Sequence, residues 1–404
     1  MKIIIASWIF DGETIQCNRA VAFDEKIVAM DTKEALKARY PNAETIELDS
    51  NAVLMPGLIN PHVHLEFGAN TTHLHYGDFM TWLQSVISHR EELIEACKAG
   101  CYKRQIDTML ASGTTTFGAI SSYGKEMRAC KSAPQRVIFF NEAIGSQPAT
   151  VDALYADFTA RFEESRAMAS ERFIPAIAIH SPYSVHPILI KKILKEFQNV
   201  PLSAHFMESP AEKAWLEKGE GDFKEFFENF LKQSTPLCFP EEFLQLFEGR
   251  KVLLTHAVHA DESQLRTIAD AGHTITHCPR SNRLLGCGRL PIEKLEELQI
   301  PWLLGSDGLS SNHSLNLWDE MRTALMMHSH LPLESLALQL LQSVTSKAGD
   351  ALQLPIGHIQ EGYWADLIVT SLPDTPDSTE QLPLQLILHT NRVKQIYIQG
   401  QHHA

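Results

Sequence analysis

Short β-rich runs with polar turns open the chain, and longer apolar runs alternating with helical patterns fill its middle. Runs at 2–6, 19–23, 26–30 and 44–48 are separated by Asp-Gly and other polar turns, which predicts antiparallel strands of a small sheet. A matching β-rich piece recurs at 357–369, 384–388 and 393–398. Two such ends around a different centre predict one small discontinuous β-sandwich domain, formed by 1–53 and 355–404 together. In between, apolar runs at 54–59, 114–119, 136–142, 173–179, 201–205, 251–256, 273–277 and 301–306 alternate with helical stretches at 79–112, 151–170, 187–198, 241–247, 261–271 and 292–298. Alternating strand and helix predict a parallel sheet, and eight strands close a TIM barrel. The expected fold class is therefore α/β, a (β/α)8 TIM barrel over 54–354 with the smaller domain attached.

Composition narrows the partners. A 404-residue chain is longer than a single hydrophobic core usually supports, which suits a barrel plus a second domain. With 44% hydrophobic and 21% charged residues it has the make-up of an ordinary soluble globular protein. Its net charge of −14 repels phosphate backbones, so nucleic acid is excluded as a partner. No run approaches the roughly 20 apolar residues of a membrane span, and the opening segment lacks the pattern of a secretion signal. Seven cysteines without regular spacing fit a reducing compartment, and the cytoplasm is the expected location. Cys97 and Cys101, four apart in a helical pattern, are expected to be buried thiols.

Metal-ligand residue types sit at the ends of the apolar runs. His62 and His64 close the first, His205 the fifth and His256 the sixth, while Asp307 follows the eighth. On an extended strand, side chains at i and i+2 leave the same face, so His62 and His64 can offer two imidazoles to one ion. Barrel active sites lie at the carboxyl ends of the strands, which would gather all five residues at one mouth.

At this point the chain resembles the amidohydrolase superfamily. The matching segments are Pro56-Gly57-Leu58-Ile59-Asn60-Pro61-His62-Val63-His64, His205-Phe206-Met207-Glu208, Thr255-His256, His277-Cys278-Pro279-Arg280-Ser281-Asn282, Gly305-Ser306-Asp307, and Gly357-x-Ile359-x-x-Gly362-x-x-Ala365-Asp366-Leu367-Ile368-Val369. They span almost the whole chain in the superfamily's order. Members with two metals usually carry a Lys or Glu at the end of the fourth strand, where this chain has Ala178-Ile179-His180-Ser181-Pro182-Tyr183. The resemblance is thus to the mononuclear deaminases, and it implies that His62, His64, His205 and Asp307 hold one divalent metal ion while Glu208 and His256 do chemistry. Three neutral imidazoles and one carboxylate leave such an ion positively charged, with a position open to water, whose pKa falls toward about 7. Zn2+ and Fe2+ both suit these donors. Glu208 would then protonate the ring nitrogen, His256 would orient the attacking oxygen or stabilise its charge, and Asp307 would accept and pass on the water proton.

A finer resemblance, in Phe139-Phe140-Asn141-Glu142-Ala143-Ile144-Gly145-Ser146 and Phe79-x-x-Trp82-Leu83, is to the branch that deaminates 6-aminodeoxyfutalosine in the futalosine route to menaquinone. It implies a soluble nucleoside substrate with a benzoate group. His180, Asn141 and Glu142 are the candidate substrate contacts, and Arg283, ahead of Arg280, is the candidate partner of the remote carboxylate. His73, His75 and His313 are read as surface or mouth-lining residues. Alternatives at this stage are a deaminase of S-adenosylhomocysteine, methylthioadenosine or guanine, a triazine-type chlorohydrolase, and a non-catalytic metal-binding scaffold; a scaffold has no need of a proton shuttle such as Glu208. The assembly is left open, a homodimer included.

Overall fold

In the computed structural model, which describes residues 1–69 and 72–403, the amino-terminal runs form the expected strands: β1 (Lys2–Phe10), β2 (Ile15–Phe23) and β3 (Ile27–Asp31). Both pairings in this meander are antiparallel. The next two strands, β4 (Glu44–Glu47) and β5 (Ala52–Pro56), lie parallel to β1 instead. The sheet is therefore mixed and not antiparallel throughout. Parallel neighbours need a crossover, and here it contains the helix Lys33–Arg39, capped by the Thr32 side chain. That helix buries Leu36 against Ile3, Ala20 and Ala22, while the alternate positions Ile4, Val21 and Phe23 pack on the other face with Leu54. Period-2 alternation thus gives this sheet two apolar faces, and burying each large aliphatic side chain contributes about 1.5–3 kcal/mol.

The first long apolar run, expected as one strand at 54–59, is divided at Gly57. Gly57 N–H donates to the Asp366 carbonyl at 2.9 Å and Leu58 N–H to the Gly113 carbonyl at 2.9 Å, so the chain changes sheets across one residue. A Cβ at Gly57 would lie 2.0 Å from Thr115 Oγ1, which explains the glycine. Beyond it run the barrel strands: β6 (Leu58–Val63), β7 (Thr114–Ser121), β8 (Arg136–Ala143), β9 (Phe173–Ile179), β10 (Leu202–Phe206), β11 (Leu253–His256), β12 (Thr274–His277) and β13 (Trp302–Leu304). They form an eight-stranded sheet in sequential order. Asp307 N–H, just past β13, donates to the His62 carbonyl in β6 at 3.2 Å, which links the last strand end to the first and nearly closes the barrel. These strands are almost wholly buried, as expected for a parallel sheet covered by helices.

The carboxyl-terminal part returns to the small sheet with β14 (Leu367–Ser371), β15 (Gln395–Ile398) and β16 (Gln401–His402), β14 pairing antiparallel with β5. The run at 384–388, expected as a strand, is instead inside the helix Leu382–His389. A short apolar run has no periodicity that separates strand from buried helix, and Pro383 in the first turn suits a helix start. Two compact units emerge from the contacts, one of Met1–Pro61, Ile106–Phe117 and Asn316–Ala404, the other of His62–Gln105 and Gly118–Leu315.

The helical stretch at 79–112 is three helices, Phe79–Ser88, Arg90–Ala96 and Ala99–Ala111. Cys97 and Cys101 flank the second break, and the expectation of two thiols is corrected: they form a disulfide, with Cα atoms 5.1 Å apart. In an unbroken helix their Cβ atoms would stand about 5–6 Å apart, too far for a disulfide, so the break is what lets the sulfurs meet. The other five cysteines are free. Among the described residues, no helix is long and apolar enough to cross a membrane.

Candidate active site

His62 lies within β6, His205 within β10 and His256 at the end of β11; His64, His180, Glu208 and Asp307 lie one to three residues beyond their strands. The backbone at several of these exits is left-handed, with φ of 48° at Met207, 74° at His256 and 57° at Asp307. Such a conformation costs a non-glycine residue about 1–3 kcal/mol, and strain of this kind collects where side chains must be aimed at a site.

The donors converge. His64 Nε2 and His205 Nε2 are 3.3 Å apart, and Asp307 Oδ1 lies 3.7 Å from both His62 Nε2 and His64 Nε2. His62 Nε2 is buried without a hydrogen-bond partner, an expensive condition unless an ion satisfies it. The outer nitrogens are held from behind: His205 Nδ1 meets the His180 carbonyl at 2.8 Å and His62 Nδ1 the Thr255 hydroxyl at 3.2 Å. An Nδ1–H donated outward leaves the Nε2 lone pair facing the centre, the usual support of a metal-bound imidazole. Asp307 is fixed the same way, since Ser281 Oγ and Ser311 Oγ each donate to Oδ2 at 2.7 Å, leaving Oδ1 toward the imidazoles. Four donors in this arrangement fit a divalent ion.

Charge is distributed unevenly around them. Burial holds His64 down to about 3 and His180 and His256 to about 4, so these imidazoles are neutral at physiological pH. Burial would raise Asp307, but the adjacent imidazoles, His62 first and then His64 and His256, outweigh it and keep the carboxylate ionised. Glu208 is pushed the opposite way, far above the carboxylate range, by burial and then by the charges of Asp307 and Glu212. Its Oε1 stands 3.5 Å from His256 Nε2. His256 Nδ1 in turn meets Asn282 Oδ1 at 2.8 Å, and Asn282 Nδ2 meets His277 Nδ1 at 3.3 Å. With Oδ1 accepting, His256 carries its proton on Nδ1 and presents an acceptor Nε2 to the site.

Glu142 points into the same region, grouped with His180 and His205. Burial raises it to about 7; Ser122 Oγ donates to its Oε2 at 2.5 Å, and its Oε1 has no partner. Asn141 does not join it. Its Nδ2 donates to Ser165 Oγ at 2.9 Å on the helix Val151–Ala167, because neighbours on a strand face opposite ways; this candidate contact is corrected to a structural role. On the helix Pro279–Leu284, Arg280 is buried against His313, whereas Arg283 is exposed and outside the cluster.

Two supporting residues escaped the reading of motifs. Glu212 accepts Met207 N–H at 3.0 Å and Glu208 N–H at 2.7 Å, clamping the backbone that carries Glu208. Its signal was Ser209-x-x-Glu212, a helix-start pattern, and Ser209 does accept Glu212 N–H at 3.1 Å. Ser311, four residues past Asp307, had no signal at all.

The sequence profile described as "Amidohydrolase family" matches residues 53–402. Among curated proteins, the aminodeoxyfutalosine deaminase of a Nitratiruptor species is 46% identical, over 100% of both chains. The adenosine deaminase of Helicobacter pylori is 34% identical, covering 94% of this chain and 93% of its own. Among solved structures, Helicobacter pylori aminofutalosine deaminase in complex with methylthio-coformycin superposes with a TM-score of 0.94 at 32% identity, covering 100% of both chains.

Proposed function

The chain belongs to the amidohydrolase family, and from that premise we propose that it is a metal-dependent hydrolytic deaminase acting on the adenine ring of 6-aminodeoxyfutalosine. The observation that carries the chemistry is the pairing, at one barrel mouth, of converging metal donors with two carboxyl groups whose proton affinities are driven apart. The choice of substrate is supported by the full-length likeness to the Nitratiruptor enzyme.

His62, His64, His205 and Asp307 would hold one divalent ion, zinc or iron. Bound there, the ion would supply Lewis acidity that makes water a nucleophile near neutral pH. Glu208, kept in its acid form, donates its proton to the ring nitrogen next to the attacked carbon, which makes that carbon electrophilic. Asp307, kept ionised, accepts a proton from the attacking water. His256, neutral with Nε2 facing inward, accepts a hydrogen bond from that water and orients it. A C–O bond forms, Asp307 passes the proton it took from water to the exocyclic amine, the C–N bond breaks and ammonia leaves, and the proton of the new hydroxyl returns to Glu208 as the C=O of a hypoxanthine nucleoside forms.

His180 and the unpartnered Oε1 of Glu142 are assigned to substrate hydroxyl and ring contacts. The remote carboxylate is assigned to Arg283, an exposed guanidinium next in sequence to Asn282. An overall charge of −14 disfavours an anionic substrate unless a local cation receives it. The reading assigns the enzyme to the cytoplasm and to the menaquinone route that the resemblance implies; among the described residues no helix is long and apolar enough to cross a membrane.

The test is a panel of adenine nucleosides offered to metal-replete enzyme, with ammonia release and the adenine-to-hypoxanthine absorbance change followed together. The highest kcat/KM is expected for 6-aminodeoxyfutalosine. A preference for adenosine or S-adenosylhomocysteine would overturn the substrate, and no ammonia from any nucleoside would overturn the reaction.

A further inference from the structure

A second group of metal-binding side chains lies outside the mouth and shares no residue with it. His73, His89 and Glu92 bring ligand atoms within 4.8 Å of one another. Glu92 Oε2 stands 3.6 Å from His73 Nδ1 and 3.3 Å from His89 Nδ1, and the two imidazole rings are 4.9 Å apart, tilted by 38°. We propose that these three residues form a peripheral site for a divalent transition metal ion, which fastens the segment after β6 to the helix Arg90–Ala96.

The surrounding structure brings the donors together before any ion arrives. His89 is the hinge residue between the helices Phe79–Ser88 and Arg90–Ala96, and its N–H donates to the Ser85 carbonyl at 3.1 Å. Glu92 follows in the first turn of the second helix, at the i+3 spacing that sets two side chains on one face. His73 arrives from the segment after β6. Leu74, its neighbour, is buried, and His75 N–H donates to Ser85 Oγ at 3.1 Å, so residues 74 and 75 are docked on the same helix that leads to His89. Three protein donors meet from two parts of the chain.

The donor chemistry selects the ion. Two imidazoles and one carboxylate suit Zn2+, Ni2+ or Cu2+, whereas Mg2+ and Ca2+ prefer all-oxygen sites. Three protein ligands leave a tetrahedral ion one position for water. Half-exposed side chains and a net charge of −14 give a cation open access to the site. Such a site exchanges its ion with solvent far faster than the buried donors of the mouth.

The experiment starts from enzyme passed through a desalting column, so that only tightly held metal remains, followed by equilibrium dialysis against micromolar Zn2+ and metal analysis. Wild type is expected to take up one further equivalent of zinc. The His73→Ala/Glu92→Gln double variant is expected to take up none, while keeping its tightly held metal, its melting temperature and its deaminase activity. In wild type alone, added Zn2+ should slow amide hydrogen exchange across 72–78. Equal zinc uptake by wild type and variant, or no further uptake by wild type, would overturn the proposal. Neither result touches the mouth, whose own donors are intact in both proteins.

Discussion

At the barrel mouth, Glu208 and Asp307 are both buried within one cluster, yet Glu208 is driven far up and Asp307 far down. Imidazoles surround Asp307 and stabilise its charge, while Glu208 meets the negative charges of Asp307 and Glu212. Elsewhere in the same unit, Glu66 and Glu126 interact with each other, and both are raised, Glu66 to about 7, chiefly by burial. Glu66 also accepts the N–H groups of Ser122 and Tyr123 at 2.8 and 3.0 Å, and so holds the turn that brings Ser122 Oγ to Glu142. Burial is common to both pairs; what differs is whether cationic or metal-binding partners divide them. Groups driven apart can serve as acid and base in one cycle, whereas Glu66, raised beside a second raised carboxyl group, holds a turn through backbone N–H groups.

The largest expected effect comes from emptying the mouth of a donor. His64→Ala should lose the tightly held metal and the deaminase activity together, followed by metal analysis and ammonia release; a variant that kept full metal would remove His64 from the ligand set. Next, Glu208→Gln preserves shape but removes the raised acid. Its kcat should fall by about 10² to 10⁴ with metal retained, and near wild-type turnover would break the contrast at its protonated member.

The second pair predicts a stability effect instead. Because the folded-state pKa of Glu66 is raised from 4.5 to about 7, its contribution is fully present below pH 4.5 and is lost as pH rises through about 7. The melting temperature of wild type should therefore decline across that window, and Glu66→Gln should flatten the decline, removing a loss of stability of at most about 3–4 kcal/mol. A wild-type profile that is level over this range would show that the pair carries no such cost. The smallest change is expected at Arg283, an exposed residue belonging to neither pair. Arg283→Met should lower kcat/KM for the carboxylated nucleoside by about tenfold to a hundredfold, the worth of a charged hydrogen bond at about 1.5–3 kcal/mol. Adenosine, which lacks the carboxylate, should be turned over equally by both proteins; equal losses on both substrates would make Arg283 structural.

Read by itself, the sequence determined the barrel and the five metal-type residues of its mouth. These follow from local rules: apolar runs mark strands, period 2 puts His62 and His64 on one face, and parallel strands in a barrel deliver their carboxyl ends to one place. The same local rules stop short wherever a neighbour from far along the chain makes the decision. Whether 384–388 is strand or helix, whether β4 lies parallel to β1, and where the apolar run divides at Gly57 depend on which surface each segment packs against. Asn141 and Glu142 have similar polarity and adjacent positions, but the pleat of β8 sends one to Ser165 and the other to the mouth. The proton affinities are least legible of all, since Glu66, Glu126, Glu208 and Asp307 are all buried carboxyl groups and differ only in the partners that tertiary packing sets around them. A charge in a low-dielectric interior feels those partners strongly, and only the folded chain brings them within reach.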